Sequence, residues 1–200
     1  MKKKDSLEIN SLIIQNNIIS VVMDLQKILL ENGIPIHEWH HSKKTKTVAE
    51  LEQEILSQET KLELIDNQLI RTVKVANIIV NLQLGEILFK LIEDKQIFLN
   101  FGQVRKRKLG YIAEKIIGDE NPESAARRAL LEEIGLNLDK ELIFEGAEIE
   151  QQNSISYPGL SSIYHVFKYR VILETADLSL LRFSEVQDNK ITLFTLEPED

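Results

Sequence analysis

The chain has 200 residues, enough for one medium-sized domain with a large core, or for a domain with an extension. Its formal net charge of -8 argues against nonspecific binding of nucleic acid, because that needs a positive field along the phosphates. The sequence contains no cysteine, which excludes disulfides and thiolate metal sites.

The first twenty residues place lysines before apolar residues, as a signal peptide does. Acidic and amide side chains interrupt the apolar run, however, and no small-residue cleavage site follows it. No stretch reaches transmembrane length. We therefore expect a cytoplasmic protein that does not bind membranes.

Apolar residues recur at helical spacing between Ser11 and Glu31, which predicts an amphipathic helix that ends before Gly33 and Pro35. Its apolar face needs a partner. Packing against the rest of the chain is the favoured interpretation, and a homodimer formed through this helix is the alternative.

Thr47 and Glu50 have the spacing of a capping box, so a second helix is predicted from Val48 to Gln58. The polar loop before it contains three histidines and the only tryptophan: His37, His40, His41 and Trp39. Because no acidic or thiol ligand accompanies the histidines, they are interpreted as surface residues rather than a metal site. Trp39 is interpreted as an anchor of the loop on the core.

After the second helix the pattern changes to that of strands. Segments rich in β-branched and aromatic residues predict an antiparallel meander; they read LELI, RTVKVANIIVNL, EILFKLI and QIFLNF. Turns are predicted between them, including one at Gly85 and one at Glu93-Asp94-Lys95.

A further predicted strand carries a run of basic residues from Arg105 to Lys108. Strand alternation places Arg105 and Arg107 on one face and Lys106 and Lys108 on the other. A clamp for a diphosphate is one interpretation, because arginine binds phosphate with two parallel hydrogen bonds. An edge strand whose charges discourage aggregation is the other, and both stay open.

The next predicted element is a helix from Pro122 to Ile134. Asn121 is a good N-cap, Pro122 suits the first helical position, and Gly135 suits the left-handed residue that follows a helix. The helix therefore has start and stop signals at both ends.

Two adjacent carboxylates, Glu132 and Glu133, project from one turn of this helix. Arg128 lies four residues before Glu132, so its guanidinium group can hold that carboxylate in a fixed orientation. Oxygen ligands of this kind are those that Mg²⁺ prefers.

Strands are then predicted over residues 142–149, 162–173 and 191–196. The loop before the second of them contains Tyr157 beside a Pro-Gly pair, which specifies a tight turn. Tyr157 could instead stack on a base or ribose at the rim of a site.

The stretch Glu114–Leu136, reading EKIIGDENPESAARRALLEEIGL, resembles the Nudix box, G-x5-E-x7-R-E-U-x-E-E-x-G-U with U an aliphatic residue. The residues that match specified positions of the box are Glu120, Arg128, Leu130, Glu132, Glu133, Gly135 and Leu136. Two positions differ: Ala129 replaces the glutamate after the arginine, and Glu114 replaces the opening glycine. From about Glu31 onward the chain also resembles Nudix-like proteins of plants and cyanobacteria.

The resemblance implies an α/β (α+β) fold, a Nudix-type α/β/α sandwich with a mixed sheet, preceded by an N-terminal helical segment. We expect this segment to comprise residues 1–59 and the Nudix-like domain residues 60–200. The implied function is metal-dependent hydrolysis of a pyrophosphate bond in a nucleoside diphosphate linked to another group.

The resemblance also implies residue roles. Mg²⁺ or Mn²⁺ would bind to Glu132 and Glu133, and we hypothesise that Glu114 replaces the carboxylate missing at Ala129. The expected catalytic residues are Glu133, Glu120, which orients or deprotonates water, and Arg128, which positions Glu132. Arg105, Arg107 and Tyr157 are the expected contacts to a nucleotide-like substrate. The alternative, favoured by Ala129, is a catalytically impaired regulatory module that binds a nucleotide or a protein.

Overall fold

The computed structural model describes residues 18–40, 45–100, 102–137 and 140–199. Three α-helices are present in this part of the chain: α1 (Ile18–Glu31), α2 (Val48–Leu56) and α3 (Pro122–Ile134). Its nine strands are β1 (Lys61–Ile65), β2 (Gln68–Leu84), β3 (Ile87–Phe98), β4 (Gln103–Leu109), β5 (Ile112–Lys115), β6 (Ile143–Asn153), β7 (Ser161–Glu174), β8 (Ser184–Val186) and β9 (Lys190–Pro198). Short 3₁₀ helices cover Ile36–Glu38 and Thr175–Leu180. The predicted mixed α and β fold class is confirmed.

The strands form one mixed, hydrogen-bonded network in the order β6-β7-β2-β3-β9-β8. Strands β1 and β5 add to β2, and β4 adds to β3. Only the long pairing of β2 with β7 is parallel among these described strands. The predicted antiparallel meander is therefore present as β1 to β4, within a mixed sheet.

Helix α3 packs on one face of the sheet and completes the main core. Its buried residues are mostly small, which lets the helix approach the strands closely: Ala125, Ala126, Ala129, Leu130 and Ile134. Alternate residues of β2 meet this helix side of the sheet, including Ala76, Ile78, Val80 and Leu82. The helix thereby lies against β2 and β5 and reaches β8.

A second core holds α1 and α2 against the start of the sheet. Leu25, Leu29, Leu51 and Leu69 are buried in it together with Trp39. Because Leu69 and Ala76 differ in parity along β2, this second core covers the face opposite α3. Helices thus lie on both faces of the mixed sheet, as expected for an α/β/α sandwich.

The N-terminal predictions agree with this packing where the structure describes it. Helix α1 ends at Glu31 as predicted, whereas Ser11 to Asn17 lie outside the described residues. Trp39 anchors its loop, because its indole Nε1 donates a hydrogen bond of 2.9 Å to the carbonyl oxygen of Pro158. Within the described ranges, no helix is long and apolar enough to cross a membrane.

The predicted turn at Glu93-Asp94-Lys95 is wrong. Strand β3 continues through these residues with a bulge between Glu93 and Lys95. The charges are tolerated inside the strand because they are paired: Lys108 Nζ lies 3.1 Å from Asp94 Oδ1, and Arg107 Nη1 lies 3.3 Å from Glu93 Oε1.

Candidate functional site

Helix α3 begins and ends at the residues that the sequence predicts. The side chain of Asn121 accepts a hydrogen bond of 2.8 Å from the backbone N–H of Glu123, and Pro122 occupies the first turn. Gly135 has a left-handed φ of 70°. Arg128, Glu132 and Glu133 are therefore carried on a capped, rigid element.

Arg128 gathers the two acids that precede the helix. Its Nε and Nη2 atoms donate to the two carboxylate oxygens of Glu120 at 3.2 and 3.0 Å, and Nη1 donates to Glu114 Oε1 at 3.0 Å. Nη2 also donates to the carbonyl oxygen of Lys115 at 2.9 Å. A single guanidinium group thus connects α3 to β5 and to the following loop.

The predicted pairing of Arg128 with Glu132 is weaker than expected. Nη1 of Arg128 lies 3.7 Å from Glu132 Oε2, and the side chain of Glu132 is 56% exposed. Glu120 instead presents both oxygens to the guanidinium fork, which is the stronger geometry. Arg128 therefore positions Glu120 and Glu114 more firmly than Glu132.

The contact with Arg128 also sets the charge of Glu120. Hydrogen bonds from Arg128 lower the pKa of Glu120, the backbone N–H of Ile117 lowers it further, and burial opposes both. In return, Glu120 raises the pKa of Arg128. An ionised, doubly bonded Glu120 is better suited to orienting groups than to removing a proton.

Glu133 lies in a different environment, half-buried among other acids. Burial and, after it, the negative charges of Glu185, Glu93 and Glu114 together raise its pKa to about 8, against an opposing effect of Lys190. These residues come from β8, β3, β5 and β9. Strands β8, β3 and β5 thus bring the negative charges of Glu185, Glu93 and Glu114 close to the C-terminal turn of α3.

Two acids of this group, Glu93 and Glu185, were not predicted as site residues. The sequence pattern places Glu93 in a turn, and Glu185 lies in a short strand without a motif. Within the described part of the chain, the buried Oε1 of Glu93 has no hydrogen-bond partner. The strand pairing Glu185↔Thr192 and Thr192↔Gln96 joins β8 to β3 and is the signal that sequence reasoning lacked.

The two predicted phosphate-binding arginines differ in their surroundings. Arg107 pairs with the buried Glu93, whereas Arg105 is exposed on β4, opposite Gln96 of β3. Strand β4 pairs with β3 alone among the described strands. Arg105 is therefore the freer of the two to meet a ligand, and the edge-strand interpretation stays open.

The prediction that Tyr157 contacts substrate is not supported by its position. Tyr157 is fully buried in the second core, with its ring centroid 5.1 Å from that of Trp39. The Arg71 guanidinium carbon lies 5.2 Å from the Tyr157 ring centroid. The loop folds inward onto the N-terminal helices, so the Tyr157 ring packs in the core instead of meeting solvent.

The donor chemistry fits a hard divalent cation, but the ligands do not form a closed set. Glu133 and its neighbours supply carboxylate oxygens, the ligands that Mg²⁺ and Mn²⁺ prefer. In the described ranges, however, no three acidic or histidine residues are placed closely enough to hold a metal ion. His37 is exposed near Glu38, and His41 lies outside the described residues. The site therefore suits a divalent cation in its negative charge and its oxygen donors, but the described residues do not form a complete coordination shell.

The raised pKa of Glu133 predicts how stability varies with pH in metal-free protein. A carboxyl group with a higher pKa in the folded state makes stability fall as pH rises from about 4.5 to about 8. We expect Glu133→Gln to remove this fall and to raise the melting temperature at pH 8 by about 3 °C or more.

Thermal unfolding in a chelator between pH 4 and pH 9 measures this effect. Glu132→Gln, the exposed neighbour on the same turn, is the matched control and should leave the pH profile unchanged. A wild type and a Glu133→Gln variant with the same profile would contradict the electrostatic interpretation.

The chain is similar to several proteins of known structure, at low sequence identity. No family model and no curated protein sequence matches the chain. The NUDIX domain of Shewanella oneidensis NrtR, complexed with ADP ribose, is 13% identical at a TM-score of 0.41, covering 64% of this chain and 73% of that chain. A mutT/nudix family protein from Listeria innocua is 17% identical at a TM-score of 0.39, with coverages of 63% and 78%. A C. elegans Ap4A hydrolase is 14% identical at a TM-score of 0.35, with coverages of 60% and 79%.

Similarity at these values carries no argument about activity. The description of the fold rests on the chain's own strand order and on the helix between Asn121 and Gly135.

Proposed function

We propose that the protein is a metal-dependent Nudix-type hydrolase that cleaves a pyrophosphate bond in a nucleoside diphosphate linked to another group. The observation that supports this most is the contact set of Arg128. It holds Glu120 and Glu114 at 3.0–3.2 Å beside the helix that carries Glu133. Residues that match the box in sequence are thus neighbours in space.

Glu133 and Glu114 are the proposed ligands of Mg²⁺ or Mn²⁺. Arg128 occupies Oε1 of Glu114, so Oε2 can bind a cation while the arginine contact persists. Glu93, whose Oε1 lies 3.3 Å from Arg107 Nη1, is a further carboxylate beside Glu133, and the exposed Glu132 can complete the set from the solvent side. A bound cation would neutralise charge on the pyrophosphate and lower the pKa of water.

The remaining roles follow from charge and exposure. Glu120, kept ionised by Arg128, would orient the attacking water through a hydrogen bond. Arg105, exposed on β4, would donate hydrogen bonds to the phosphates. The substrate would accordingly bind with its phosphate groups facing β4.

A catalytically impaired module that binds a nucleotide or a protein in a regulatory role is the second candidate. Ala129 favours it, because this position is fully buried and supplies no carboxylate where the box has one.

The turnover of a panel of nucleoside diphosphate derivatives with Mg²⁺ or Mn²⁺ separates the two candidates. We expect wild-type turnover, reduced roughly ten- to a hundred-fold in both Glu133→Gln and Glu114→Gln, because each removes a metal ligand or its support. Glu123→Gln is the matched control, since this acid is on the first turn of α3 and pairs with Arg127.

Unchanged turnover in Glu114→Gln would contradict the displaced ligand while leaving a hydrolase. No wild-type turnover, together with a melting temperature raised by the same compounds in a chelator, would establish the binding module instead.

A further inference from the structure

The box loop is defined as Lys115–Glu120: it begins at the last residue of β5 and leads to the cap of α3. On one side it is held by Arg128, which binds the carbonyl oxygen of Lys115 and the carboxylate of Glu120. The backbone N–H of Ile117 donates to Glu120 Oε2 at 3.2 Å. These contacts belong to the site already described.

The other side of the box loop is held by the N-terminal helical segment. The backbone N–H of Gly118 donates a hydrogen bond of 3.0 Å to the carbonyl oxygen of Gln58, just beyond α2. Gly118 has a φ of +55°, and a Cβ there would lie 2.3 Å from Gln58 Oε1. The left-handed φ favours glycine at this position, and a residue of the N-terminal segment is packed directly on the loop.

A pair of ionic contacts adds to this hydrogen bond. Lys115 Nζ lies 2.8 Å from Glu59 Oε2 and 3.0 Å from Glu54 Oε1. Glu54 belongs to α2, and its side chain is only 7% exposed. Lys115 is thus anchored to a buried carboxylate of the N-terminal segment.

The anchor itself is firmly held. Arg71 Nη2 donates to Glu54 Oε2 at 2.7 Å, and Lys46 Nζ donates to Glu54 Oε1 at 2.6 Å. Burial alone would raise the pKa of Glu54, but these hydrogen bonds and the charge of Lys115 outweigh it and lower the pKa to about 2. The carboxylate is therefore charged at neutral pH.

Glu114 and Lys115 are consecutive in β5, so their side chains point to opposite faces of the strand. Glu114 meets Arg128 on the helix side, while Lys115 meets Glu54 and Glu59 of the N-terminal segment. Movement of Lys115 would consequently move Glu114, and small displacements of positioned groups are costly for catalysis.

We propose that the N-terminal helical segment positions residues of the site. Its contacts with Lys115 and Gly118 hold the box loop in place, and the box loop and β5 in turn keep Glu120 and Glu114 within hydrogen-bond distance of Arg128. This inference rests on the proposed hydrolase function. Lys115 is a positioning residue. Its side chain contacts Glu54 and Glu59, and not the oxygens of the proposed cation ligands or the substrate.

The test compares Lys115→Met with Lys46→Met in the full-length protein. Both lysines bind the same oxygen, Glu54 Oε1, but only Lys115 belongs to the box loop. In either variant Arg71 and one lysine remain on Glu54, so both should fold. We expect Lys115→Met to lower kcat roughly ten- to a hundred-fold with KM within about twofold, and Lys46→Met to change neither.

Two further measurements separate positioning from a general loss of structure. Lys115→Arg, which keeps the charge, should recover most of the lost kcat. Amide hydrogen exchange at Ile117 and Gly118 should rise about tenfold or more in Lys115→Met and stay at the wild-type level in Lys46→Met. Equal kcat in the two methionine variants, or unchanged exchange at Gly118, would overturn the proposal.

If the wild-type protein turns over none of the compounds, the proposed hydrolase function is wrong. This result would be known before any variant is compared. The decisive readout is then the rise in melting temperature caused by Mn²⁺. Positioning is supported if Lys115→Met, and not Lys46→Met, reduces that rise, and it is overturned otherwise.

Discussion

Arg71→Met is expected to lower the free energy of unfolding by about 3 kcal/mol, because it leaves Oε2 of the buried Glu54 carboxylate without its hydrogen-bond donor. Arg71 and Glu54 have side chains that are 5% and 7% exposed and lie 2.7 Å apart. The variant also removes the guanidinium group that stacks on the buried ring of Tyr157. Urea unfolding at pH 7 measures the change.

Lys46→Met is the control for Arg71→Met. Lys46 binds the same carboxylate but is 41% exposed, so its removal should cost about 1 kcal/mol or less. The double variant Arg71→Met/Glu54→Met should recover much of the loss, because apolar replacement of a whole buried pair is often close to neutral. Equal losses in Arg71→Met and Lys46→Met would show that burial does not set the strength of this network.

Ala129→Glu is expected to destabilise metal-free protein by about 2 kcal/mol or more and to make its stability depend on divalent cations. Ala129 is fully buried in the main core, four residues before Glu133 on the same helix. A carboxylate introduced there would add to the negative charge that already raises the pKa of Glu133. A cation shared with Glu133 would offset both the burial and the repulsion.

The measurement is the melting temperature with a chelator and with Mn²⁺. The Mn²⁺-induced rise should be larger in Ala129→Glu than in the wild type. Ala125→Glu is the matched control: Ala125 is also fully buried on α3 but lies about 12 Å along the helix axis from Glu133. A similar response to Mn²⁺ in both variants would show that position 129 does not face the cation site.

The limits of α3 and the start of α2 could be predicted from the sequence because the interactions that set them are local. The Asn121 cap, the left-handed Gly135 and the Thr47–Glu50 capping box each join residues at most a few positions apart. Strand periodicity likewise predicted β4 and its basic side chains. Such patterns depend on backbone geometry and need no knowledge of distant contacts.

The tertiary structure alone decided which side chains meet. Glu93 and Glu185 approach Glu133 because strand pairing brings β3 and β8 together across many intervening residues. Arg128 was predicted to hold Glu132 from i,i+4 spacing, yet the box loop presents Glu120 to its fork with better geometry.

The burial of Tyr157 was likewise decided by the tertiary structure. Its Pro-Gly neighbours correctly indicated a turn, but whether that turn faces solvent depends on the N-terminal helices that cover it. The sequence by itself determined the elements and the residue types of the box. The fold decided the partners of Arg128, the acids around Glu133 and the anchor of Lys115, because these contacts join residues that local geometry does not bring together.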